Sequence, residues 1–147
     1  MQLKSVSIKN FKGIDEKNIV LKPGFNLIKG ANGTGKTSIL EAIAVGLGGF
    51  IAGLPDVVTR HFSSDEVRKV YMKTGDGSYN KTNIMPLEVT IEAILDGKEY
   101  SWTRGKSSIN ASRSTTQPRD ICHKAEMMAE DSNSEFPVLA YLSAARV

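Results

Sequence analysis

An α/β fold is what this 147-residue sequence predicts, and three features predict it. A glycine-rich string at residues 30–37 stands between a short apolar run and a stretch with helical spacing. Farther on, Leu87, Val89, Ile91, Ala93 and Leu95 alternate strictly with other residues and lead into Asp96-Gly97, a favoured hairpin turn. The length fits one domain, and 40% hydrophobic with 24% charged residues is ordinary for a chain that buries a core.

Taken in order, Val6 and Ile8 alternate with Ser7 and Lys9, Ile19 and Leu21 flank Val20, and residues 25–28 run apolar into glycine. Each reads as a strand, with Pro23-Gly24 as the turn between the second and third. Residues 38–47 read as a helix: Ile39, Ile43 and Leu47 lie four apart, with Leu40 and Ala44 beside them. Gly46, Gly48 and Gly49 are expected to end or loosen it, and Pro55 marks the break. Ser63-Ser64-Asp65-Glu66 carries the start signal of a short helix. Residues 73–83, polar and glycine-containing, read as a mobile loop. The hairpin at residues 87–102 follows, then a Ser-rich loop at 106–116. A helix is expected from near Thr116, with Pro118 in its first turn and Ile121, Cys122, Ala125, Met128 and Ala129 as its apolar face. Residues 137–142 read as a buried strand.

No apolar run is long enough to span a bilayer, and the N-terminus lacks the layout of a signal peptide, so a cytoplasmic protein with no membrane partner is expected. Cys122 is the single cysteine; it reads as a small packed side chain, not a nucleophile. A net charge of +3 is neutral on nucleic-acid binding. His61 and His123 lie far apart without a cysteine pair, which argues against zinc.

The string Gly30-Ala31-Asn32-Gly33-Thr34-Gly35-Lys36-Thr37 matches Gly-x-x-x-x-Gly-Lys-Ser/Thr, a phosphate-binding loop. Its glycines let consecutive N–H groups turn inward on phosphate oxygens, and the helix that follows adds its positive end. Lys36 is placed to reach the β- and γ-phosphates, and the Thr37 hydroxyl to help hold Mg²⁺.

Together with Ile8-Lys9-Asn10-Phe11-Lys12-Gly13 and the following Ser38-Ile39-Leu40-Glu41-Ala42-Ile43, this loop resembles the N-terminal lobe of ABC-type ATPases of the SMC, RecF and OLD group. In that group a first strand ends in Asn-Phe-Arg/Lys and the loop reads Gly-x-Asn-Gly-x-Gly-Lys-Ser/Thr. The closing Tyr141-Leu142-Ser143-Ala144-Ala145-Arg146 resembles the strand and basic residue near the lobe boundary of OLD-like members. The resemblance implies a P-loop NTPase core with an antiparallel β-subdomain, and ATP and Mg²⁺ as ligands. It places Gly30, Ala31, Asn32, Gly33, Thr34, Gly35, Lys36, Thr37 and Ser38 at the nucleotide. Lys12 is either near the phosphates or base, or a solvated lysine at a strand end. The resemblance also implies that ATP is sandwiched between two heads, and it brings DNA repair, chromosome maintenance or defence into view, with DNA as a partner.

A complete head of that group also has a signature motif, a Walker B strand ending in Asp-Glu, and a switch histidine. Ile91-Glu92-Ala93-Ile94-Leu95-Asp96 is better explained by the hairpin, and Leu142-Ser143-Ala144-Ala145 lacks the signature glycines. Residues 1–147 are therefore expected to form a single lobe of a larger ATPase, needing a C-terminal lobe and head-to-head pairing for hydrolysis. Two alternatives stay open: a nucleotide-sensing interaction module without hydrolysis, and a small-molecule phosphotransferase, for which Arg113 and Arg119 make a poor lid. Asn80-Lys81-Thr82-Asn83 lacks the carboxylate that reads guanine. Arg60, His61, Arg68, Lys69 and Lys73 read as a solvated helix face before a DNA contact, and Tyr100 and Trp102 as hairpin packing.

Overall fold

The computed structural model describes residues 1–143. The chain opens with two antiparallel strands, β1 (Gln2–Phe11) and β2 (Ile14–Val20), joined at Lys12-Gly13. Helix α1 (Lys36–Ile51) follows, and after a 3₁₀ turn (Ser64–Glu66) come β3 (Lys69–Lys73) and β4 (Tyr79–Asn83). The long hairpin β5 (Leu87–Leu95) and β6 (Lys98–Lys106), short β7 (Thr115–Gln117) and α2 (Asp120–Glu130) complete the elements. Five strands form one antiparallel sheet in the order β2-β1-β5-β6-β7, while β3 and β4 pair only with each other.

The alternation in β5 decides which face of the sheet is core. Leu87, Val89, Ile91, Ala93 and Leu95 are all buried and join Val6, Ile8 and Trp102 beneath α1. Residues of the opposite face pair by polar contacts, such as Ser5 with Glu92 at 2.6 Å and Thr90 with Thr103 at 2.7 Å. The Asp96-Gly97 turn has both residues at positive φ, +51° and +74°, the geometry a two-residue hairpin needs to match strand twist.

Helix α1 does not end at its glycines. Gly46, Gly48 and Gly49 lie inside it and are buried because the sheet comes too close for any side chain. A Cβ on Gly46 would stand 2.8 Å from Val89, and one on Gly49 would stand 2.5 Å from the Trp102 ring. The Trp102 indole N–H donates to the Gly46 carbonyl at 2.9 Å, so the ring lies flush against the helix backbone. A loss of about 1 kcal/mol in helix propensity per glycine is offset by this packing. Cys122 on α2 is buried as expected, its thiol donating to the Gly49 carbonyl at 3.2 Å; burial pushes the thiol pKa up.

Four further sequence expectations are corrected. Residues 73–83 belong to a hairpin, not a mobile loop: a turn in which Asp76 accepts from the Thr74 hydroxyl and from the Ser78 N–H and hydroxyl links β3 to β4, and those donors hold its carboxyl at about 2. Both faces of β4 are exposed, so no apolar alternation announces it. Residues 25–28 and 137–142 are not strands. Phe25 is 88% exposed and Val138 93%, and among the described residues no strand pairs with either segment. The helix expected near Thr116 begins at Asp120, because residues 115–117 pair with β6 first; its buried face is Ile121, Cys122, Ala125 and Met128, as read, while Ala129 is exposed. The resemblance noted at residues 141–146 falls partly outside the described residues.

Candidate functional site

Residues 29–35 run without regular structure into α1, and Gly33 and Gly35 both take φ of +83°. Those left-handed steps are open to glycine and strained for other residues, and they turn the chain into the helix. At the loop's entry a Cβ on Gly30 would stand 2.6 Å from the Thr34 hydroxyl, so a side chain there would displace that hydroxyl. Thr34 donates to the Ala31 carbonyl at 2.7 Å and seals the turn.

Helical hydrogen bonding begins with Ile39 N–H donating to the Gly35 carbonyl at 2.9 Å. The N–H groups of Lys36, Thr37 and Ser38 therefore have no carbonyl one turn back, and Gly35 supplies no side-chain cap. A helix N-terminus in this condition is an anion seat. The Lys36 ammonium donates to the Gly30 and Ala31 carbonyls, both at 2.6 Å, which brings a fixed positive charge across the same loop. Ala31, Asn32, Gly33, Thr34 and Thr37 are exposed. Backbone donors, glycine geometry, a lysine and a hydroxyl at the helix start fit a nucleotide phosphate chain with a divalent cation. Among the described residues no group of three or more His, Cys, Asp or Glu could hold a metal ion by itself.

Lys12 sits in the β1–β2 turn with φ +51°, and its ammonium pairs with Glu41 of α1. Glu41 is one helical turn after Thr37, on the same side of α1, and Ile14, the first residue of β2, lies within 4 Å of the Cβ position of Gly35. The turn thus stands beside the loop, with Lys12 engaged by a carboxylate. Glu41 was not singled out from sequence, although its four-residue spacing from Thr37 was legible.

The other basic candidates do not form one face. Arg60 pairs with Glu66, Arg68 lies 3.7 Å from Asp15, and His61 accepts from the Ser114 N–H at 3.0 Å. Lys69 and Lys73 are on a strand, not a helix. Asp96 is consumed by the hairpin turn and pairs with Lys124 at 2.6 Å, in keeping with hairpin over Walker B. Trp102 is a packing residue, as expected.

A glycine-shaped loop opening a helix beneath an antiparallel sheet defines a P-loop protein of the ABC-ATPase class. The chain belongs to the AAA domain family, whose profile matches residues 5–146. Among its relatives, "DNA replication and repair protein RecF" of Salmonella typhi is 48% identical over 63 residues, 42% of this chain and 18% of that protein. The RecF protein of Salmonella arizonae is 54% identical over 43 residues, 29% of this chain and 12% of the relative. The matched stretch is thus under a fifth of these relatives' length. A solved structure from work on ATP-driven dimerisation and DNA-stimulated activation of SMC ATPases aligns with a TM-score of 0.54 at 23% identity, covering 86% of this chain and 80% of that one. The fold is accordingly that of the N-terminal lobe of ABC-type ATPases in the SMC and RecF group.

Proposed function

We propose that this chain binds ATP with Mg²⁺ on the loop at residues 30–37, as one lobe of an ATPase head. The observation that carries the reading is the junction of two left-handed glycines with a helix whose first N–H groups lack acceptors, beside Lys36. In this role the backbone donors of residues 33–38 bind phosphate oxygens, Lys36 exchanges its loop carbonyls for the β- and γ-phosphates, and Thr37 ligates the cation. Magnesium, when bound, neutralises charge on the phosphates. Lys12, held beside the loop by Glu41, positions that edge of the site.

Hydrolysis requires a carboxylate near the attacking water. We place that group on a second lobe, and ATP between two heads. The outer side of α1 favours a covering lobe: Leu40, Val138 and Leu142 are exposed there or beside it, where a helix apolar on both sides calls for burial on both. RecF similarity supports a role in DNA repair or replication, with DNA as the eventual partner, and we place the protein in the cytoplasm. A nucleotide-sensing lobe without turnover is the second reading, favoured by Asp96, which lies in the hairpin turn and pairs with Lys124 instead of ending a Walker B strand.

Calorimetry with ATP and GTP in the presence of Mg²⁺ tests the cradle. Selective ATP binding is expected, lost in Lys36→Ala and made less Mg²⁺-dependent in Thr37→Ala. Wild-type chain that binds no nucleotide would overturn the cradle, and brisk turnover by residues 1–147 alone would overturn the need for a second lobe.

A further inference from the structure

Arg104 of β6 is the anomaly of the core. It is 1% exposed, its pKa is lowered by burial, and among the described residues no carboxylate lies within salt-bridge distance of it. Its guanidinium donates only to neutral groups: the Thr116 hydroxyl at 3.0 Å, the Arg60 carbonyl at 3.0 Å, the Thr59 hydroxyl at 3.3 Å and His61 Nδ1 at 3.3 Å. Its Nε has no acceptor. A buried cation without a counter-ion is costly, and the cost is relieved by an anion.

Arg104 forms part of the wall of an open cleft of about 490 Å³ between residues 52–61, β7 and the start of α2. Arg113, Arg119 and His61 also line it, and no aspartate or glutamate does. Thr59, Thr115 and Cys122 of the lining donate to the backbone carbonyls of Gly48, Gly105 and Gly49, while His61, Ser114 and Thr116 each keep a donor. His61 Nδ1 accepts from Ser114 N–H, which leaves the proton of the neutral ring on Nε2. The Ser114 hydroxyl accepts from Phe62 N–H at 2.8 Å and the Thr116 hydroxyl from Arg104, so each keeps its own hydrogen to donate. Burial first, then Arg104 and Arg113, lower the His61 pKa. The first turn of α2, eleven residues long and without a side-chain cap, borders the cleft through Arg119 and Cys122; Asp120, the acid of that turn, is exposed and outside the lining.

We propose that this cleft binds a phosphate group, carried either by a free polyphosphate or by a nucleic-acid strand, at a site separate from the loop at residues 30–37. It stands independently of the ATP reading, and its test is run with that loop silenced.

In the full chain carrying Lys36→Ala, pyrophosphate binding is measured by calorimetry and binding of a short labelled oligodeoxythymidylate by anisotropy, both at low salt. Arg113→Gln with Arg119→Gln is compared with Lys73→Gln with Lys98→Gln, which removes the same charge elsewhere from exposed positions. Thermal melts confirm that each variant is folded. The arginine pair is expected to weaken binding at least about tenfold, as loss of charge-assisted hydrogen bonds does, while the lysine pair changes it less than about twofold. Binding of pyrophosphate alone identifies a free anion, and binding of the oligonucleotide identifies a strand. No binding of either probe, or equal losses in both variants, would overturn the proposal.

Discussion

The two sides of α1 differ in what covers them. On the sheet side, Ile39, Ala42, Val45 and Phe50 are buried, three glycines admit the sheet to the helix backbone, and Trp102 closes the contact. On the other side, Leu40, Ile43, Ala44 and Leu47 line open clefts against residues 21–28 and 138–141, which lie outside the strands. Phe25, Leu27, Val138 and Leu142 are more exposed than an apolar segment of a finished core would be. The loop at residues 30–37 sits between these two sides. Its neighbours are α1 and the β1–β2 turn, so the loop takes its form without the opposite side being filled.

If the sheet side supplies the stability, substitutions there dominate. The largest expected effect is Trp102→Ala, which removes a fully buried ring and its hydrogen bond and should cost about 3–5 kcal/mol in urea unfolding. Gly49→Ala comes next. Its Cβ has nowhere to go against the indole, so overpacking should cost about 1–3 kcal/mol despite alanine's better helix propensity. A Gly49→Ala chain as stable as wild type would mean that Trp102 can shift, and that the sheet side is looser than its contacts imply.

How much of this was legible follows from how local each signal is. The Asp96-Gly97 turn and the loop at residues 30–37 were readable because a few neighbouring residues fix both conformations. Gly46 and Gly49 were read as ending or loosening the helix because the reason for them, Ile91 and Trp102, lies over forty residues away. The stripe Ile39, Ile43, Leu47 had the right period, yet only Ile39 is buried against the sheet; the sheet-facing stripe is marked by small residues, which a count of apolar positions ranks low. Residues 25–28 and 137–142 have strand composition, but a strand exists only when another pairs with it. The arginine cleft was invisible because His61, Arg104, Arg113 and Arg119 are gathered by packing alone.

A smaller effect is expected from pH. His61 has its pKa lowered in the folded chain, by burial first and then by Arg104 of β6 and Arg113 of the loop before β7. The unfolded chain therefore binds the proton more readily, so this contribution is fully present above about 6.5 and is lost as pH falls below it. A shallow decline in stability between about pH 6.5 and 5, above the carboxylate range, should flatten in His61→Gln. An unchanged slope in that variant would assign the decline to another group.

The smallest expected effect is the sharpest test of the comparison. Phe25→Ser and Val138→Ser each remove a large apolar side chain, a change that costs about 2–5 kcal/mol in a packed core. Here both side chains are already in water, so each variant should unfold within about 0.5 kcal/mol of wild type. A covering lobe would change that result, because the same side chains would then leave water on folding. In a longer protein carrying such a lobe, Phe25→Ser should cost about 1.5–3 kcal/mol, the value of burying a side chain of that size. A large cost in residues 1–147 alone would show that these segments already pack in solution, and that the outer side of α1 needs no second lobe to close it.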